Sequence, residues 1–257
     1  AHKEFGNKAE YIPIRPGFLP KQPFKNKEIY VLDSAFSEKD LKQLVNNNKK
    51  VVVIDHHITN KDVVKFASES FWQNHHSAAV LTWHYFYKDK KIPKFLLYIE
   101  DVDLWKFKMP QVKPISTHIY NHSFDFKVWD KINRELETKK GLKNYIEKGN
   151  VILIYENILL NMIMKKATLV QFGKYKALAV NSSLKVFSST LGSMLYKKMP
   201  PIGIVWHISD HDIQVSLRGN GKVDVAKLAE KYGGGGHKNA AGFAVPIEKG
   251  FPWKWMK

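Results

Sequence analysis

Cysteine is absent from the 257 residues. That excludes a disulfide framework, a thiolate metal site and a cysteine nucleophile together, and makes the cytoplasm the expected location. Long apolar runs are absent as well. The greasiest stretch, Val151 to Met164, is interrupted by Glu156, Asn157 and Asn161 and falls short of the roughly 18 apolar residues of a membrane span. No membrane association is expected, and no N-terminal segment has the pattern of a secretory signal. Negative charge is scarce: 24 acids face 41 basic residues, a formal net charge of +17. Arginine is scarcer still, at three residues, Lys supplying the rest. Such a surface attracts polyanions; a Lys-rich surface that merely stays solvated is the competing reading, and composition leaves both open.

What is present fits a globular protein of one large or two modest domains, with 44% hydrophobic and 25% charged residues. The opening AHKEFG reads as a helix end stopped by Gly6, followed by a short strand at Tyr11 to Ile14 and a Pro-rich loop through Pro23. EIYVLD and VVVIDHH are apolar on both faces and flank an amphipathic helix, SEKDLKQLVNNN. This alternation predicts an α/β fold with a parallel sheet covered on both sides. SAAVLTWHYFY reads as a helix capped by Ser77, and FLLYIEDVDLWKF leads into an acidic cluster. From Asp130 to Lys166 the pattern is helical, broken by glycines, and reads as a bridge. Beyond it, YKALAVN, IGIVWHI and DIQVSLRG predict strands, VDVAKLAEKY a helix, and GGGGHKNAAGF a glycine loop before a last strand. The expected domains are 1–140, a helical linker at 141–166, and a smaller α/β domain at 167–257.

Asp33 and Asp55 each end an apolar strand, and in an open parallel sheet such ends share the rim where ligands bind. His56 and His57 follow Asp55 at once, so one strand exit offers a carboxylate and two imidazoles. Asp101 or Asp103 would add a further oxygen. Carboxylates mixed with imidazoles suit Mn²⁺, Mg²⁺ or Fe²⁺, with Zn²⁺ as an alternative. A helix cap is the competing role for Asp33, a solvated turn for the Asp101 to Asp103 cluster, and packing for His75 and His76; His84 and His118 stay unassigned. In the C-terminal part, Gly233, Gly234, Gly235 and Gly236 carry no β-carbons and allow backbone N–H groups to converge on an anion, with His237 next to them. A flexible linker is the alternative. Arg218 has the side chain suited to bidentate phosphate capture, with a structural ion pair as its competitor.

VVVIDHH, SAAVL, YIEDVDLW, QVSLRG and VDVAKLAEKYGGGGHKNAAGF, in this order, resemble the DHH phosphoesterase family carrying its DHH-associated C-terminal domain. The resemblance implies a first domain holding two divalent metals, usually Mn²⁺, and a second that closes over the cleft to bind substrate. Asp33 matches a metal-bridging aspartate, and Asp55 with His56 and His57 the family triplet, its first His a metal ligand and its second nearer the scissile phosphate. Asp101 matches a further metal aspartate, with Asp103 as the fallback, and Arg218 with the Gly233 to His237 loop matches the substrate-binding part. The implied activity is metal-dependent hydrolysis of short single-stranded oligonucleotides or related nucleotide phosphates, and a homodimer follows by analogy. The family's first motif, with His and Asp ligands, has no counterpart. That implies a truncated copy of a longer polypeptide or a degenerate one that binds phosphate or nucleic acid without hydrolysing it.

Overall fold

The structure is a computed structural model, and it describes residues 1–14, 18–20 and 23–256. The chain divides into two compact units, Ala1–Leu153 and Ile154–Lys257. Part of the Pro-rich stretch through Pro23 lies outside the described residues.

In the first unit, α1 (His2–Phe5) ends at Gly6, whose φ of 51° suits a residue without a β-carbon. The strand expected at Tyr11 to Ile14 is not formed; Pro13 lacks the N–H that a ladder requires. Strands β1 (Glu28–Leu32), β2 (Lys50–Asp55) and β3 (Glu69–Trp72) form a parallel sheet in the order β1-β2-β3. Helix α2 (Glu38–Asn47) is capped by Ser37 and α3 (Ala78–Phe86) by Ser77. Alternation along β2 explains its sequence. Val51 and Val53 pack with Leu41 and Leu44 of α2, while Val52 and Ile54 pack with Leu81 of α3. A strand sandwiched between two layers has no polar face.

Four helices follow: α4 (Lys94–Asp103), α5 (Val112–Tyr120), α6 (Phe126–Leu136) and α7 (Lys139–Met164). The structure differs from the competing reading of the acidic cluster as a solvated turn and from the expected break of the bridge at its glycines. Asp101 and Asp103 lie in the last turn of α4. Gly141 and Gly149 lie inside α7, which runs unbroken for 26 residues. Their role is close approach: a β-carbon on Gly149 would sit 1.8 Å from the Pro114 carbonyl oxygen of α5, and one on Gly141 would sit 2.1 Å from the Glu135 carbonyl oxygen. The unit boundary falls within α7, where the sequence leads to a helical linker over 141–166.

The second unit is a seven-stranded mixed sheet in the order β10-β4-β5-β6-β7-β9-β8. Its elements in chain order are β4 (Thr168–Phe172), β5 (Tyr175–Asn181), α8 (Ser188–Lys198), β6 (Ile202–Ser209), β7 (Asp212–Gly219), α9 (Val225–Glu230), β8 (Gly235–His237), β9 (Ala240–Pro246) and β10 (Lys254–Trp255). Leu178, Val180 and Val205 pack on Leu191 and Leu195 of α8; Ala177, Ala179, Ile202 and Ile204 share the other core with Val225 and Ala229 of α9. Both units are therefore α/β, as the strand and helix patterns predict.

Candidate functional site

Because β1 and β2 are parallel neighbours, their C-terminal ends open on one rim. The chain turns there at once. Asp33 adopts φ 59°, a left-handed conformation that Asp tolerates better than most residues, and its N–H donates to the Ile54 carbonyl at 3.0 Å. Asp33, Asp55, His56 and His57 each offer one ligand atom, and these atoms lie within 4.8 Å of one another.

Asp55 is fully buried. Its Oδ1 accepts from the His56 N–H at 2.7 Å and the His57 N–H at 3.2 Å, and lies 2.7 Å from His57 Nδ1; Oδ2 accepts from Asn60 Nδ2 at 2.5 Å. Burial alone would raise its pKa, but the bonds from His57, Asn60 and the two amides prevail and lower it from the ordinary value. An ionised Asp55 requires the proton of His57 to sit on Nδ1, which leaves Nε2 free. The bond to Asp55 outweighs desolvation and raises the His57 pKa. The Trp72 indole N–H donates to the His57 carbonyl at 3.0 Å and fixes the backbone there.

His56 Nε2 stands 3.3 Å from Asp33 Oδ1 and 3.5 Å from Asp103 Oδ2. The Asp33 carboxylate is the largest cause of its raised pKa, opposed by burial and supported by Asp103. Yet Nε2 is buried and has no aligned hydrogen-bond partner. An imidazole nitrogen shut away from water between two carboxylate oxygens, close to both but in line with neither, is a donor set that fits a divalent cation better than it fits itself. Asp103 has its pKa raised, chiefly by burial and against the pull of His56.

Asp101 is not brought to this group. Its two oxygens accept the N–H groups of Lys108 and Met109, both at 3.0 Å, and it is buried. The two aspartates are thus placed differently: Asp101 ties down the chain after α4, and Asp103 faces His56. Three supporting residues carried no signal in the sequence. Asn60 and Trp72 act on the triplet, and Glu100 lies 3.0 Å from His76 Nδ1 while accepting the Ser77 N–H at 2.9 Å. That contact ties the start of α3 to α4 one turn before Asp103.

In the second unit the glycine run is not a free loop. Gly235 to His237 form β8, paired with β9. Gly234 and Gly236 have no room for a β-carbon, which would meet the Gly242 carbonyl oxygen at 2.2 Å or the Ala240 carbonyl oxygen at 2.5 Å, whereas Gly235 faces open space and Gly233, also in open space, is favoured by its φ of 75°. Register matters more than concavity here. Ala240 of β9 pairs with Arg218 of β7 on one side and His237 of β8 on the other. Cross-strand partners project from the same face, so Arg218 and His237 flank the small Ala240 in one row. Arg218 is half-buried, Nη2 donates to Ser189 Oγ at 2.8 Å and Nη1 to its own residue's neighbour, the Leu217 carbonyl, at 2.9 Å. Among the described residues no carboxylate pairs with it. Burial lowers its pKa, but a guanidinium keeps its charge.

Residues 173–251 match the family model described as the DHHA1 domain. The chain is 32% identical to uncharacterized protein R106 of Acanthamoeba polyphaga mimivirus over 248 residues, 91% of this chain and 56% of that protein. The chain therefore spans little more than half the length of the curated relative it matches. Among solved structures, an uncharacterized protein from Helicobacter pylori G27 aligns with a TM-score of 0.39 and 19% identity over 90% of this chain and 79% of its own. The pGpG-specific phosphodiesterase PggH from Vibrio cholerae aligns at 0.44 and 13% over 88% and 95%. An exopolyphosphatase-related protein from Bacteroides fragilis aligns at 0.42 and 14% over 84% and 66%.

Proposed function

We propose, from the premise that residues 173–251 are a DHHA1 domain, that this chain is part of a metal-dependent phosphoesterase of the DHH kind. Its substrates are phosphate esters of short single-stranded oligonucleotides or related nucleotides. The observation that carries the reading is the convergence of Asp33, Asp55, His56 and His57 at two neighbouring strand exits.

Asp33, His56 and Asp103 would hold a cation, with Asp55 contributing through Oδ2, the oxygen that has only one hydrogen bond. Such an ion, Mn²⁺ or another divalent metal, supplies Lewis acidity toward water and toward the phosphoryl group. His57, protonated on Nδ1 against Asp55, presents Nε2 to the substrate. With its pKa raised, it can carry a second proton there and stabilise the departing oxygen. Arg218 captures a phosphate bidentately beside His237. The lysine-rich surface draws anionic substrate in, a salt-sensitive attraction.

The test is incubation of the purified chain with Mn²⁺ and short RNA, single-stranded DNA, adenosine bisphosphate, a cyclic dinucleotide and polyphosphate. Turnover of at least one nucleotide, abolished in Asp55→Ala and His56→Ala and reduced mainly through KM in Arg218→Ala, supports the proposal. Unchanged turnover in all three variants overturns it. Binding without hydrolysis of any of the five would instead make the chain a phosphate or nucleic-acid binder.

A further inference from the structure

Among the described residues, six other than glycine have a positive φ, and three of them, Trp105, Phe107 and Gln111, follow α4 within seven positions. For Trp105 and Phe107 the angles are 54° and 50°, a left-handed backbone that bulky side chains rarely adopt and that gathers at functional sites. Asp101 holds the chain in this form. Its carbonyl oxygen accepts the N–H groups of Lys106 and Phe107 at 2.9 and 3.2 Å, and its carboxylate those of Lys108 and Met109. From the other side, Lys106 Nζ donates to the His75 carbonyl at 3.3 Å, and the Trp105 N–H donates to the Val102 carbonyl at 2.9 Å. The outcome for the two aromatic residues is opposite. Phe107 packs against the core shared by α4, α5 and α6, while Trp105 is left 60% exposed. Its ring stands nearly perpendicular on Phe107, with centroids 4.7 Å apart and planes at 80°. A lone exposed aromatic needs no explanation, but one braced on a buried ring by a strained, fully tied loop does.

We propose that Trp105 stacks on a nucleobase of the substrate and makes the chain select nucleotide phosphates over phosphates that carry no base. The proposal rests on the reading of the chain as one that binds nucleotide phosphates, and it adds what recognises the nucleotide part. Three features point to a base. Asp103, which faces His56 at 3.5 Å, is two residues away, and two residues of chain reach at most about 7 Å. That is within the span that separates a nucleotide's phosphate from its base. The apolar surface on offer is one indole ring, the size of a single base, and every base has a π-face to lay on it. Lys108, exposed on the same loop, supplies the positive charge that accompanies aromatic platforms for single-stranded nucleic acid. Stacking of this kind tolerates any base, so Trp105 discriminates the presence of a base and not its identity.

The experiment is calorimetric titration of the full chain, in the presence of Mn²⁺, with a diadenosine dinucleotide whose linkage is a non-hydrolysable methylenephosphonate. The same compound lacking one base or the other serves as the comparison. Wild type should bind the complete dinucleotide about 10-fold more tightly than one of the two abasic forms, the equivalent of about 1.4 kcal/mol. Trp105→Ala should lose that factor for the complete dinucleotide and bind the abasic form as wild type does, and Trp105→Phe should restore most of it. Equal wild-type affinity for the complete and both abasic compounds overturns the proposal, as does a failure to bind any of them. A Trp105→Ala loss that is the same for all three compounds overturns it too, by showing a structural role. The comparison of compounds on wild type and on Trp105→Phe decides the matter even where Trp105→Ala folds poorly. None of these readouts uses hydrolysis. Base-dependent binding without turnover therefore upholds the role of Trp105 while removing the phosphoesterase reading, and turnover without base dependence removes the role of Trp105 alone.

Discussion

Asp55 and His57 form a carboxylate–imidazole pair with the carboxylate buried and the imidazole partly exposed, Oδ1 to Nδ1 at 2.7 Å, made by residues only two apart in sequence. Both functional groups can meet because the chain leaves β2 abruptly and the Asp55 carboxylate turns back to accept the two following amides. The strand exit therefore builds its own second layer.

Replacing Asp55 by Asn keeps the shape and removes the charge. An amide cannot accept all the donors that now converge on the carboxylate, so at least one partly buried donor loses its partner, at a cost of about 1 kcal/mol. His57 also loses the anion that fixes its proton on Nδ1. The expected outcome is a fall in turnover of at least about 100-fold, with a lowered urea midpoint. Activity within a factor of three of wild type would show that the pair does not orient a catalytic imidazole.

Asp101 and Asp103 are two residues apart and do different work. Asp101→Ala leaves the partly buried amides of Lys108 and Met109 without their acceptor, so it should cost about 1 kcal/mol of stability. Asp103→Ala removes an oxygen from the neighbourhood of His56 and relieves an exposed carboxylate whose pKa is raised. It should leave the melting temperature level or slightly raised and weaken Mn²⁺ binding in calorimetry. The opposite assignment of effects would favour Asp101 as the ligand.

The two aspartates also mark how far the sequence is legible. β2 announces itself because a strand packed on both faces must be apolar at every position, and the triplet after it has a specific order. Asp33 follows from the same logic. The choice between Asp101 and Asp103 depends on which side of α4 each occupies and where the chain goes after the helix, neither of which is local information. Asn60 and Trp72 act through one contact each, from residues with many commoner uses. β3, with only four residues and Glu69 and Ser70 among them, lacks the apolar run that exposes β1 and β2. The glycines misled in both directions: within α7 they permit close helix contact where a break was expected, and at 235 and 236 they belong to a strand where a loop was expected.

The glycine run gives a prediction that separates backbone need from packing. Gly236 has φ 145° and no room for a β-carbon. Gly236→Ala should therefore destabilise the protein by more than about 1 kcal/mol and shift β8 against β9, displacing His237 from the row with Arg218. Gly235 faces open space, so Gly235→Ala should hold stability within about 0.5 kcal/mol and preserve substrate affinity. Equal melting temperatures for the two variants would show that β8 is not clamped on β9 in solution.

His118 gives a pH dependence of definite sign. Its ring packs between His122 and Tyr145, with ring centroids at 4.8 and 4.7 Å, and its Nδ1 is buried without a hydrogen-bond partner. Burial, followed by the charges of His122 and Lys148, lowers its pKa, and Glu135 only partly opposes them. The unfolded chain thus binds the proton more readily than the folded one. The contribution to stability is complete above the ordinary histidine pKa of about 6.5, and it is lost as pH falls from there toward the folded value. His118→Phe keeps the aromatic contact with Tyr145 and removes the titration. Groups that do not face His118, including the oppositely shifted His56 and His57, titrate alike in both proteins and cancel in the comparison. Urea unfolding of wild type and variant at pH 8 and pH 5 should show the difference moving in the variant's favour at the lower pH. A difference that stays constant, or moves toward wild type, would mean that His118 takes up its proton in the folded chain at least as easily as in the unfolded one.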